Sequence, residues 1–424
     1  MSGLSKKRAL YGFSNTIVLI ALVYSHFGCK NIKNEMQSMT DSTQNVSSAP
    51  GSFGYDLTFL EKQKPLIVLQ AEDNPDAQII VIGDYQGRVM TSTADGLNGN
   101  SYGWINYDLI ESGKLKPHMN AFGGEERLWL SPEGGQFSIF FKKGAKFDFE
   151  NWQTPSLIDT ESYENVESNK SQATFKKRGT LENYSGTDFD IEITRKISVL
   201  SRKDIEKYLK VTPSLSLKYV GFESENIIKN IGKDWSKDKG TLGIWILGMY
   251  NPSEETTMIA PFTNTKKVLL TDDYFGKIPD NRLKIVDSVA YFKGDGKSRG
   301  KIGLAPPSAK PFAGAYDAER GILTIVQFDL DTEGDYLKST WERHSEPYKG
   351  DAFNAYNDGK TPDGSQLGPF IELESNSSTK ALKTSESITH HHRTFHFEGD
   401  KKALNDLSKV VLGVNLSEIE GTLK

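Results

Sequence analysis

At 424 residues, 37% of them hydrophobic and 25% charged, the chain can bury a sizeable core, which excludes wholesale disorder and leaves room for one large domain or two medium ones. Its formal charge of −5 offers no basic footprint for nucleic acid. With 17 Tyr, 22 Phe and 6 Trp, the composition leans toward β structure.

Residues 1–28 have the pattern of a secretory signal peptide. Lys6, Lys7 and Arg8 precede an apolar core at 17–24 that is too short to span a bilayer comfortably. The chain's only cysteine, Cys29, follows Gly28 directly, the placement of a lipidated cysteine in the lipobox of bacterial lipoproteins, although His26 and Phe27 depart from the small or aliphatic residues usual there. The alternative is a buried free thiol, since a lone cysteine in an exported chain has no disulfide partner. Loss of the signal removes three positive charges and leaves 48 basic against 56 acidic residues, a formal charge of −8. The following segment is rich in Ser, Thr, Asn and Gln and reads as a flexible tether. The expected organisation is therefore a signal peptide at 1–28, a tether at 29–52 and a folded domain at 53–424. The expected location is the cell envelope, lipid-anchored on its periplasmic or outer-membrane face.

From Phe53 onward, short alternating runs of β-branched and aromatic residues are broken by Gly, Asn, Asp and Pro turns, which predicts many strands. Clear runs lie at 79–82 and 136–141, in the period-two set Ile191, Ile193, Ile197 and Val199, and at 242–247 and 322–330. No β-α-β alternation appears, which argues against a doubly wound parallel sheet. Helical periodicity is clear near the C-terminus, where Leu404, Leu407, Val410 and Val411 share a face between Asp400 as cap and Gly413 as stop. A shorter helix is predicted over 202–210.

The segment 118–135, HMNAFGGEERLWLSPEGG, packs His118, Glu125, Glu126, Arg127, Trp129 and Glu133 around two Gly-Gly pairs. Diglycine permits tight turns or close approach to a ligand. Donors, carboxylates and a flat apolar ring together suit a sugar, whose hydroxyls need hydrogen bonds and whose C–H faces stack on aromatics. A solvated polar hairpin with Trp129 in the core fits equally well. Residues 348–359, YKGDAFNAYNDG, place Asp351, Asn354, Asn357 and Asp358 among aromatics, either to meet hydroxyls or to hold a turn together. Residues 368–375, GPFIELES, set Phe370, Glu372 and Glu374 on one strand face, where apolar neighbours invite a raised pKa and a general-base role. The exposed face of an edge strand explains the same pattern. Residues 386–396, ESITHHHRTFH, put Ile388, His390, His392 and His396 on one face and His391, Arg393 and Phe395 on the other, which points to hydrogen-bonding or acid–base work in preference to a metal site. Arg299 and Lys301 either add donors to a pocket or decorate a solvated hairpin. No metal and no cofactor is implied.

In this order, GGEERLWLSPEGG, the YNDG loop, GPFIELES and the ESITHHH strand resemble the galactose mutarotase-like superfamily, and more closely an uncharacterised lipoprotein branch of it. The resemblance runs from about Gln86-Gly87-Arg88 to the C-terminal helix, and the Gly-Gly-x-x-Arg-x-Trp-x-x-Pro-Glu run is its most specific element. It implies an all-β supersandwich of large antiparallel sheets with few short helices, and a sugar cleft on a concave face. For an aldose 1-epimerase-like isomerase it implies Glu372 as base, with Glu374 as the near alternative, and Arg127 as a sugar-binding arginine. The chain departs from the family in having no histidine between His118 and His344, so the acid falls to His118, His390 or His392. Glu125, Glu126, Trp129, Glu133, Asn357, Asp358 and Glu374 complete the expected ligand contacts. Three readings follow: an enzyme acting on a sugar ring or anomeric centre, a surface glycan-binding module without turnover, and a structural envelope protein.

Overall fold

Among the described residues each ladder between strands is antiparallel, which lets one face of a sheet meet a core while the other meets solvent or covering loops. The computed structural model describes residues 49–263, 268–361 and 363–424. The expected signal peptide, Cys29 and most of the expected tether lie outside the described residues. In chain order the strands are β1 (Ile67–Gln70), β2 (Gln78–Ile82), β3 (Arg88–Thr93), β4 (Arg127–Ser131), β5 (Glu164–Ser168), β6 (Gln172–Glu182), β7 (Asp188–Val199), β8 (Leu217–Asn230), β9 (Gly243–Tyr250) and β10 (Thr256–Pro261). They continue as β11 (Leu270–Thr271), β12 (Leu283–Val286), β13 (Val289–Lys293), β14 (Gly300–Leu304), β15 (Phe312–Asp317), β16 (Ile322–Phe328), β17 (Phe353–Asn357), β18 (Ile371–Asn376) and β19 (Ser387–Gly399). The helices are α1 (Phe53–Glu61), α2 (Tyr107–Ser112), α3 (Arg202–Leu209), α4 (Lys401–Val411) and α5 (Leu416–Thr422).

Ten strands form one sheet in the order β12-β13-β10-β15-β16-β19-β8-β7-β6-β5, six form a second in the order β11-β14-β17-β18-β9-β4, and β1-β2-β3 form a third. Alternation drives the pairing. Along β7, Phe189, Ile191, Ile193, Ile197 and Val199 are buried while their neighbours are exposed or half-buried, so one face is committed to the core. Leu128, Ile244 and Ile246 of the six-stranded sheet pack with Ile191, Ile193 and Phe222 of the ten-stranded one. Further along the interface Ile302, Ala355 and Leu373 meet Phe292, Ala313 and Val326. The result is the face-to-face sandwich that the resemblance implies. The opposite face of the ten-stranded sheet is closed by the C-terminal helices, whose Leu404, Leu407, Leu416 and Ile419 pack on Leu323, Ile325, Phe395 and Phe397.

Local signals place the helix ends. Asp400 caps α4 by accepting from the Ala403 N–H at 2.9 Å, and Gly413 takes a positive φ of 78° beyond its end. Val410 does not join the apolar face; it is 60% exposed, and Val411 packs partly in its place. The expected strand at 136–141 is a chain of buried turns. The Gly134–Gly135 turn precedes it, and its backbone bonds go to Pro132, Tyr184 and Gln153 in place of a neighbouring strand. Residues Phe53–Glu61, read as the beginning of the strand region, form a helix because Ser52 caps the Tyr55 N–H.

Phe328 and Phe353 stack across the sandwich, ring centroids 5.8 Å apart, each 1% exposed. Phe353→Ala is expected to lower the unfolding free energy by about 3–5 kcal/mol, read by urea denaturation. A loss below about 1 kcal/mol would contradict this packing of the two sheets.

Candidate functional site

Strand register alone assembles the site. Across the six-stranded sheet, Gly303, Asn354, Glu374, Leu247 and Arg127 are direct cross-strand partners in turn. The adjacent rows are Lys301, Tyr356, Glu372 and Met249, then Asn376, Trp245 and Trp129. Residues directly opposite in antiparallel strands share a face. One face therefore carries Arg127, Trp129, Trp245, Lys301, Tyr356, Glu372 and Glu374, while Leu373 and Ser375 of the same β18 strand turn toward the ten-stranded sheet. β18 lies between β17 and β9, so its carboxylates are not the exposed side chains of an edge strand.

Arg127 Nη2 donates to Glu372 Oε1 at 2.9 Å, with both side chains about 5% exposed. The same guanidinium lies 4.3 Å from the centre of the Trp129 ring. Glu374 Oε2 accepts from Trp245 Nε1 at 2.9 Å and from Lys301 Nζ at 2.8 Å. Lys301 also lies over the Trp245 and Tyr274 rings. Tyr274 donates its hydroxyl to Asp351, an approach that requires Gly303 to lack a Cβ. Tyr356 donates to Asp358 Oδ1 at 2.6 Å, and Asp358 Oδ2 accepts from the Gly368 N–H at 3.0 Å. Trp341 Nε1 donates to Glu133 Oε1 at 3.0 Å. Among the described residues, Arg127 Nε, Trp129 Nε1 and Glu374 Oε1 on this face are buried and have no hydrogen-bond partner.

Burial dominates the electrostatics. It pushes Glu372 up to about 8; Arg127 opposes that rise and the Glu374 charge adds to it. Glu133 and Asp351 are also raised by burial, opposed chiefly by Lys301 and by the Tyr274 hydroxyl respectively. Within one patch the protein thus holds carboxyl groups in different environments, next to donors and aromatic faces that a polyhydroxylated ligand can use.

Other expected site residues lie elsewhere. Glu126 is fully buried and ion-paired at 2.7 Å with Arg195 of β7, on the opposite side of the chain from Arg127. Glu125 accepts from Ser92 Oγ at 2.8 Å and pairs with His396 Nε2 at 2.9 Å, also in the interior. His390 Nε2 and His392 Nδ1 both bond Ser375 Oγ, at 2.8 and 2.9 Å, on the face of β18 turned away from Glu372. Burial lowers His390 to about 4 and holds His392 well below the ordinary imidazole value, which favours the neutral form of both. Neither histidine joins the Glu372 face, because alternation along β18 separates Ser375 from Glu372 and Glu374. His118 is half-buried in a loop; its Nδ1 lies 2.6 Å from the Trp152 carbonyl and its ring packs on Phe149, while its neighbour Met119 touches Arg127. Asn357 is a turn holder: Oδ1 accepts from the Gly296 N–H at 2.8 Å and Nδ2 donates to the Ser298 carbonyl at 2.7 Å. Asp358 reaches the site only through Tyr356.

Trp245, Tyr274, Trp341 and Tyr356 were not expected from the sequence. Trp245 and Tyr356 sit within segments read there, and strand register, once known, places them beside Glu374 and Glu372. Tyr274 and Trp341 come from irregular segments that carry no periodic signal.

A family model described as a family of unknown function, DUF6786, matches residues 51–423. The chain belongs to that family. No curated protein matches it. Similar solved structures include the Slr1438 protein from Synechocystis sp. PCC 6803, with TM-score 0.47 and 12% identity over 80% of this chain and 96% of that one. A galactose mutarotase-like protein from Lactobacillus casei ATCC 334 has TM-score 0.46 and 7% identity over 79% of this chain and 99% of that one. A putative aldose 1-epimerase from Escherichia coli K12 has TM-score 0.45 and 8% identity over 79% of this chain and all of that one.

The raised Glu372 has a consequence for stability. Its folded-state value lies above the ordinary 4.5, so the protonated carboxyl's contribution is full below about 4.5 and is lost as pH rises through about 8. Glu372→Gln stays neutral and is expected to gain stability relative to wild type between pH 5 and 8, by up to about 1.4 kcal/mol per pH unit. Urea unfolding at each pH reads the difference. A difference that stays flat across this range contradicts a protonated, buried Glu372.

Proposed function

We propose that this DUF6786 protein binds a carbohydrate on the covered face of its six-stranded sheet and is exported and tethered to the envelope through Cys29. The observation that carries the binding reading is the Arg127–Glu372 pair at 2.9 Å beside the Trp129 ring, with Arg127 Nε, Trp129 Nε1 and Glu374 Oε1 still unpartnered. Buried polar atoms without partners are costly, and ligand hydroxyls would satisfy both the donors and the acceptor. An epimerase with Glu372 as base and His390 or His392 as acid forms no part of this reading, because both histidines bond Ser375 on the other face. The anchoring half rests on sequence alone: the basic and apolar segment before Gly28 and Cys29.

Purified protein is expected to be retained by at least one member of a broad immobilised glycan panel. Arg127→Ala should weaken that binding at least about tenfold, as loss of a charge-assisted contact does, with its circular dichroism unchanged. Absence of retention on the whole panel, or full affinity in the variant, would overturn this assignment.

Growth with an alkyne-bearing fatty acid should label the wild-type protein, and Cys29→Ala should abolish the label and move the protein to the soluble fraction. Unlabelled wild-type protein would exclude lipid anchoring.

A further inference from the structure

We propose that Glu372 and Glu374 form a proton-donor and base pair that hydrolyses a glycosidic bond of the bound carbohydrate. The inference rests on the carbohydrate reading above and adds a reaction to it. Three observations carry it. First, the two residues stand at alternate positions of β18 on one face, so both carboxyl groups are presented on the same side of the strand. Second, their partners differ. Glu372 accepts from Arg127 through Oε1 alone, which leaves Oε2 to carry a proton; Glu374 is ion-paired to Lys301 and also held by Trp245, both through Oε2. Third, Glu374 Oε1 is buried and has no donor, so one acceptor of the pair is held ready and unused. An ordinary structural carboxylate this deep would have its acceptors satisfied.

The step balances with water as co-reactant. Glu372 Oε2 gives its proton to the glycosidic oxygen, and the C1–O bond breaks with its electron pair staying on that oxygen, so the leaving sugar departs as an alcohol. A water oxygen bonds to C1 while Glu374 Oε1 takes a proton from that water. One water is consumed per bond, and the proton returns from Glu374 to Glu372 through solvent. Burial supports the division of labour, since Glu372, raised to about 8, keeps its proton at neutral pH. Tyr356, opposite Glu372 in register and locked by Asp358, and Lys301, fixed over Trp245, are positioning residues.

The test uses fluorophore-labelled cello-, xylo-, manno- and galacto-oligosaccharides with the purified protein, reading binding by fluorescence anisotropy and cleavage by chromatography. Expected is cleavage of a bound series at a rate that falls as pH rises past about 8. Glu372→Gln and Glu374→Gln should each lower kcat at least about 100-fold while binding persists, which also shows that the variants fold. A series that binds and stays uncut overturns the inference and leaves the carbohydrate reading standing. Equal cleavage by the variants, or faster anomer equilibration of free sugars without cleavage, also overturns it. No binding to any series, together with none on the wider glycan panel, removes both.

Discussion

The contact on which the site depends is the hydrogen bond that Arg127 donates to Glu372, closed at 2.9 Å between β4 and β18 with β9 between them. A guanidinium buried this deeply loses hydration worth several kcal/mol, and the Glu372 hydrogen bond and the Trp129 ring offset that loss only while the geometry holds. The register of β9 against both neighbours therefore matters: Leu247 opposes Arg127 on one side and Glu374 on the other. A slip of one residue in either ladder would turn Arg127 or Glu372 to the other face of the sheet and part the two side chains. Burial of Trp129, Trp245 and Tyr356, with Lys301 half-buried beside them, follows from the same alignment.

A second polar network lies on the other side of these strands. Glu126 pairs with Arg195, Arg195 Nη1 donates to Asn226 at 2.9 Å, and Glu125 pairs with His396, whose Nδ1 lies 2.9 Å from Thr324 Oγ1. These links tie the loop before β4 to β7, β8, β16 and β19. Removing one partner would strand a buried charge, so the network fixes where β4 begins and hence which way Arg127 faces. Two roles that the sequence segment 118–135 suggested as one are in fact divided by the strand: Glu125 and Glu126 anchor, and Arg127 with Trp129 faces the site.

Much of this was legible in the chain. Apolar runs located β2, β9 and β16, and period-two patterning located β7, β18 and β19 and placed Glu372 and Glu374 on a common face. The same rule, carried across the end of the GGEE run into β4, separates Glu126 from Arg127, but it needs to be known that Arg127 starts a strand and that the preceding residues do not. The histidine strand was read with the right alternation, yet which sheet face receives His390 and His392 depends on β19 pairing with β8 and β16, a long-range fact. Run 136–141 shows the opposite limit: its residues are almost all as buried as a strand's, so burial pattern alone does not distinguish a paired strand from a chain of turns under a loop. Tyr274 and Trp341 lie in segments shaped by tertiary contacts, and the sequence holds no periodic trace of them.

The claim that this face is the ligand site is tested most directly by a crystal structure of the protein with a glycan that it retains. Sugar hydroxyls are expected within hydrogen-bond distance of Arg127 and of Glu374 Oε1. A glycan bound elsewhere, with the Arg127–Glu372 face still covered and its three polar atoms still unpartnered, would contradict it.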